Sequence, residues 1–164
     1  MDAMERAGSF LSINALGALA KAALDKNFRL ASYACITAED IVKVHPDHPE
    51  VARVAKRLLN IALREARVRF NATICYDGIV SWSVLGTKNK QKFADDVPKL
   101  LRLLRVADED TKSMVVMSLQ CMGDERVREP LELLFARVQD AGFRYQINEV
   151  LSRLDSEQVG EGRF

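Results

Sequence analysis

Long apolar runs are absent from this 164-residue chain, because a lysine or arginine interrupts every apolar stretch. None approaches the ~18 uninterrupted apolar residues that a helix needs to cross a bilayer. Residues 1–9 mix Asp2, Glu5 and Arg6 and lack the basic-then-apolar order of a secretory leader. A cytoplasmic, soluble protein with no membrane partner is the expectation. Cysteine is scarce as well: Cys35, Cys75 and Cys121 are odd in number, widely spaced and set among apolar residues. That pattern reads as buried thiols of a reducing compartment and excludes a disulfide framework.

Histidine is rarer still. His45 and His48 are the only two, and both lie in the segment His45-Pro46-Asp47-His48-Pro49 with no thiolate near them in sequence. Two histidines beside two prolines fit a polar interhelical loop, and the four-ligand set of a structural zinc site is not in reach. Glycine-rich phosphate loops and zincin helices are missing, and no Ser-His-acid or Cys-His order can be assembled from one loop of histidines. We expect no catalysis, no metal and no cofactor.

Few helix breakers (eight Gly, four Pro) and few aromatics (7%) leave a chain of Ala, Leu, Arg, Lys and Glu, all good helix formers. With 48% hydrophobic and 29% charged residues it reads as globular, and its length suits one domain. The organisation expected is an N-terminal extension over 1–9, a helical domain over 10–154 and a flexible tail over 155–164.

Apolar residues recur at three and four from Phe10 to Leu24, with Ser9 as an N-cap, and again from Phe28 to Val44. Prolines 46 and 49 break the chain there. Val51 to Phe70 follows as the strongest amphipathic pattern, with Val51, Val54, Ala55, Leu58, Leu59, Ala62 and Ala66 on one face and arginines on the other. Residues 71–85 are ambiguous: Thr73, Ile74, Tyr76, Ile79, Val80 and Val84 suit strands, and Gly78 interrupts a helix. Helical neighbours and the shortage of other strands favour helix, and strand stays open. Gly86 to Lys92 reads as a basic loop. Helices are then expected over 93–106, 108–122, 125–141 and 143–154, with Gly123-Asp124 and Gly142 as stops.

One segment nearly repeats another. Val97-Pro-Lys-Leu-Leu-Arg-Leu-Leu104 aligns with Val127-Arg-Glu-Pro-Leu-Glu-Leu-Leu134 at an offset of thirty, with identities at Val97/Val127, Leu101/Leu131, Leu103/Leu133 and Leu104/Leu134. The preceding Leu119-Gln-Cys-Met122-Gly-Asp124 step, followed by Val127, Leu131 and Leu134, resembles HEAT-like helical repeats over about Val97 to Leu154. The resemblance implies an all-α fold, a short right-handed α-solenoid of about four antiparallel helix pairs. It also implies a non-catalytic interaction or adaptor role.

Charge is distributed unevenly. From Val51 to Arg105 there are twelve Lys and Arg against four acids, while the rest of the chain holds twelve against nineteen. Arg53, Arg57 and Arg64 fall on one helical face, Lys88 and Lys90 follow in the basic loop, and Trp82 lies between. These six are the candidate partner-binding residues. An acidic segment of a protein partner is the expected ligand, with a homodimer pairing basic middle and acidic ends as one form of it. Nucleic acid is the alternative, since it too calls for basic residues and aromatics. Trp82 reads first as a core residue, with an interface anchor as the alternative.

Overall fold

The computed structural model describes residues 12–161. The extension expected over 1–9, the Ser9 cap and the start of the first helix at Phe10 lie outside the described residues. Eight α-helices account for most of the remainder: α1 Leu16–Ala22, α2 Phe28–Val44, α3 Pro49–Arg64, α4 Arg69–Thr87, α5 Val97–Val106, α6 Glu109–Met122, α7 Arg128–Phe135 and α8 Ala141–Glu161. No strand occurs among the described residues, so the all-α class holds. None of the helices is long and apolar enough to cross a membrane. Contacts divide the chain into two compact units, Met1–Asn89 and Lys90–Phe164.

In the first unit local chemistry sets each helix start. Asn27 accepts the backbone N–H of Arg29 and Leu30 at 3.1 and 3.3 Å to open α2. His48 accepts the N–H of Glu50 at 3.2 Å, with Pro49 at the first position of α3, where a missing donor costs nothing. Capping is therefore what this histidine does here, and no cluster of metal-binding side chains occurs among the described residues.

Residues 71–85 are helical, within α4. Eight of the α4 side chains are buried, among them Tyr76, Ile79, Val80 and Val84, and that burial overrides their strand preference. Thr73 and Thr87 turn their hydroxyls onto the carbonyls of Arg69 and Ser83 one turn back, at 2.8 and 2.9 Å, which a β-branched residue in a helix can do.

The helix expected over Val51–Phe70 stops at Arg64. Glu65 is extended (φ −116°, ψ 91°), a short 3-10 turn over Ala66–Val68 follows, and Ala66 is exposed instead of lining the core. Amphipathic spacing runs on through this turn without a Gly or Pro to betray it. The Arg69 guanidinium holds the break by donating to the Ala62 carbonyl at 2.9 Å.

Pairing within this unit is regular. At the α3–α4 turn Arg69 reaches Ala62, and at the other end Ser83 donates to the Pro46 carbonyl at 2.7 Å, so these two helices run antiparallel. Across the neighbouring seam the order is the same along both helices: Asn71 donates to the Asp25 carbonyl just before α2, and further on Trp82 donates to Glu39. Helices α2 and α4 are thus parallel. Helices α1 and α3 share the lining of one small hollow, Gly17, Ala20 and Leu24 from the first helix and its end with Val54, Leu58 and Ile61 from the second.

The second unit opens with a 3-10 stretch, Lys90–Asp96, in place of the expected loop and helix start; it kinks at Phe93 (φ −115°, ψ 17°), whose ring is buried. Asp108 caps α6 by accepting the Thr111 N–H at 2.9 Å, and Gly123, left-handed at φ 57°, ends it as its sequence position suggests. The helix expected over 125–141 is shorter, ending at Phe135, because Arg144 reaches back to take the carbonyls of Phe135 and Val138 at 2.9 and 3.1 Å. Helix α8 passes Asp155, where a tail was expected, and runs to Glu161; Arg128 on α7 holds Asp155 at 2.7 Å. Here the second helices of the two pairs, α6 and α8, pack against one another, while α5 and α7 line a common recess. Ser113 on α6 donates to Gln146 on α8 at 2.7 Å, and Leu101, Leu104 and Arg105 of α5 face Pro130, Leu133 and Arg137 at and beyond α7.

Candidate interaction surfaces

Arg53, Arg57 and Arg64 are spaced four and seven apart on α3, which puts them one above another on its exposed face. Arg53 is tied to Glu50, three residues back, with its Nε 2.7 Å from the carboxylate. That bond is the main reason the Glu50 carboxyl lies below its ordinary value. Arg57 and Arg64 make no ion pair among the described residues. Arg57 borders a hollow of only about 20 Å³ between α1 and α3. The row is a charged ridge, and the hollow beside Arg57 is too small for a side chain to enter.

Trp82 is not on that ridge. Its indole N–H donates to Glu39 at 3.3 Å, and Lys43 sits 4.3 Å from its ring centroid, so α2 holds both its polar edge and its face. Lys88 forms the C-cap of α4 in the left-handed region (φ 54°, ψ 22°), and Lys90 opens the 3-10 stretch of the second unit. The structure brings the three arginines together and gives Trp82 and Lys88 local structural tasks.

A better-formed recess lies inside the second unit, between α5 and α7. It has a volume of about 660 Å³, an apolar floor of Leu101, Leu104, Pro130, Leu133 and Leu134, and a rim of Arg105, Lys112, Arg137 and Glu129. Three cations against one acid make the rim positive. Lys112 is held 2.6 Å from Glu109, whereas Arg105 and Arg137 have no side-chain partner among the described residues. Leu133 is 53% exposed. Its counterpart in the repeated segment, Leu103, is fully buried. Identity of sequence hid this difference: the leucines match, but only one is covered. The signal available beforehand was the pair of arginines that follow the leucine pairs, Arg105 directly after Leu104 and Arg137 three residues after Leu134.

No family model, no curated protein and no solved structure matches this chain.

Proposed function

We propose that the chain is a non-catalytic helical-repeat module that binds an acidic, amphipathic segment of a partner protein in the recess between α5 and α7. The observation that carries this reading is the union of a leucine floor with two unpaired guanidinium groups in one cleft of about 660 Å³. An amphipathic segment would bury its apolar side on Leu133 and Leu134 and place carboxylates against Arg105 and Arg137, where bidentate pairing is available. Repeat character is supported by the parallel alignment of α2 and α4 and by Val97 and Val127, matched in sequence and both fully buried. Stacked hairpins of this kind, each unable to bury its apolar face alone, are how a HEAT-like α-solenoid is built, and the right-handed form is the one we propose.

A test is selection from a displayed library of short peptides, followed by competition with single- and double-stranded oligonucleotides at low and moderate salt. Enrichment of acidic sequences with leucine or phenylalanine at helical spacing supports the reading. Enrichment of basic or wholly polar peptides would defeat it.

Nucleic-acid binding is the second reading, favoured by the ridge of Arg53, Arg57 and Arg64. It expects affinity that falls steeply with salt across many sequences, and a smaller salt slope after charge reversal at Arg57 and Arg64. A second copy of the chain is a possible partner as well; sedimentation of the isolated protein distinguishes a homodimer from a monomer awaiting another protein.

A further inference from the structure

Helix α2 carries apolar side chains on two faces, and only one of them is covered. Ala31, Ala34, Ala38, Ile41 and Val42 are buried on the first. On the opposite face Arg29, Tyr33, Ile36 and Asp40 follow at intervals of four, three and four, which sets them in one row directed away from the core. Tyr33 is 70% and Ile36 54% exposed, and Phe28 at 73% and Leu30 at 48% flank them in the first turn. Single exposed apolar residues are ordinary on any surface, whereas four close together on one helix mark a contact. They leave on the order of 400 Å² of apolar surface uncovered.

The order of charge along the row selects its occupant. A cation, Arg29, stands at one end, two apolar side chains in the middle, and an anion, Asp40, at the other. Arg29 makes no ion pair among the described residues. Asp40 is held by Lys43 at 2.7 Å, yet its side chain stays 45% exposed and can accept a second donor. Turned end for end, the row matches itself. A two-fold axis crossing α2 between Ala34 and Cys35 brings Arg29 level with the partner's Asp40, and Tyr33 level with the partner's Ile36. The same register sets the partner's Ile36 beside the middle of a hollow of about 160 Å³ that runs along α2 from Phe28 to Glu39 and has Ile74 in its far wall.

We propose that the chain forms a two-fold symmetric dimer through this row, with α2 packed antiparallel on α2 of a second copy, Tyr33 and Ile36 at the centre and an Arg29–Asp40 pair at each end. Such an interface is isologous, so each charged pair is made twice. A bilayer surface suits the row less well, since it ends in a carboxylate where an interfacial helix carries cations. The apolar patch is about half of the ~800 Å² per partner of a standard interface, so the dimer is a reversible one that dissociates in the micromolar range. Both charges precede Val51 and lie outside the basic middle of the chain. The row belongs to the first unit, and the recess between α5 and α7 belongs to the second, so the two readings fail separately.

The experiment is sedimentation equilibrium of the full chain from micromolar to several hundred micromolar, on wild type, Ile36→Glu, Arg29→Glu, Asp40→Arg and the double swap Arg29→Glu/Asp40→Arg. Wild type is expected to reach twice the mass of the chain. Ile36→Glu should stay at the single mass throughout with an unchanged helical circular dichroism spectrum, because it sets two carboxylates at the centre of the contact and leaves the core untouched. Each single charge change should weaken dimerisation at least about tenfold, since like charges then meet at both ends, and the double swap should return it to within about threefold of wild type. Should Ile36→Glu lose its fold, the charge swap alone decides. The inference is overturned by a wild-type protein that is monomeric at the highest concentration, by a folded Ile36→Glu that dimerises like wild type, or by a double swap no tighter than its single changes.

Discussion

Gly78 packs against Glu39 so closely that the Cβ it lacks would sit 2.7 Å from the Glu39 carboxyl carbon. In the interior of α4 a glycine should be a liability, worth about 1 kcal/mol against alanine. Here it makes room for the carboxylate that takes the Trp82 indole N–H. Gly78→Ala should therefore destabilise the protein by about 1 kcal/mol, the overpacking and the lost hydrogen bond outweighing the helical gain. Introduced on top of Glu39→Ala, the same change should stabilise by about 1 kcal/mol. Denaturant melts of the four members of this cycle measure the coupling directly.

Lys88 occupies the left-handed region at the end of α4, which an L side chain enters at a cost of about 1–2 kcal/mol. Lys88→Gly should raise stability by about 1 kcal/mol in thermal or urea unfolding. No gain would mean that the lysine side chain makes a compensating contact.

Asp124 accepts the Arg126 guanidinium at 2.6 Å and the Arg126 backbone N–H at 2.9 Å, while Arg126 also donates to the Ala94 carbonyl at 2.7 Å. Hydrogen bonding to the Arg126 side chain is the main cause that holds the Asp124 carboxyl below its ordinary value. The folded state then binds this proton less readily than the unfolded chain. Its contribution is complete above the unfolded carboxylate range near pH ~4 and is lost as pH falls through the lower folded value. Asp124→Asn should flatten the acid limb of the stability profile in that window. At neutral pH Asp124→Ala should cost about 1–2 kcal/mol.

Thr111 is fully buried and its hydroxyl has no hydrogen-bond partner among the described residues. Valine keeps the shape without the unsatisfied oxygen. Thr111→Val should be neutral to stabilising, by up to about 1 kcal/mol, in a urea melt. A clear loss would reveal a bound water at that oxygen.

Much of the fold is legible because helix starts are written in side chains. The break at Pro46 and Pro49, after which α3 starts, and the Gly123 stop can be read before any coordinate is known. What could not be read are breaks held from a distance: α3 ends where Arg69 folds back onto Ala62, and α7 ends where Arg144 reaches Phe135, and no local breaker marks either place. Strand-favouring residues left 71–85 open in the sequence, and burial of Tyr76 and Ile79 decides for helix. For the surface, spacing on α3 placed Arg53, Arg57 and Arg64 on one face. It could not show that Trp82 turns towards Glu39, or that Leu133 differs from its match Leu103 by lying open.

The central claim is recognition of an acidic amphipathic segment in the α5–α7 recess. Its most direct measurement is a fluorescence anisotropy titration of the peptide selected above against wild type and Arg105→Glu/Arg137→Glu. The account predicts at least a tenfold loss of affinity, about 1.4 kcal/mol, with an unchanged melting temperature, since both side chains stand at the rim without partners. Equal affinity in a folded double variant would contradict it.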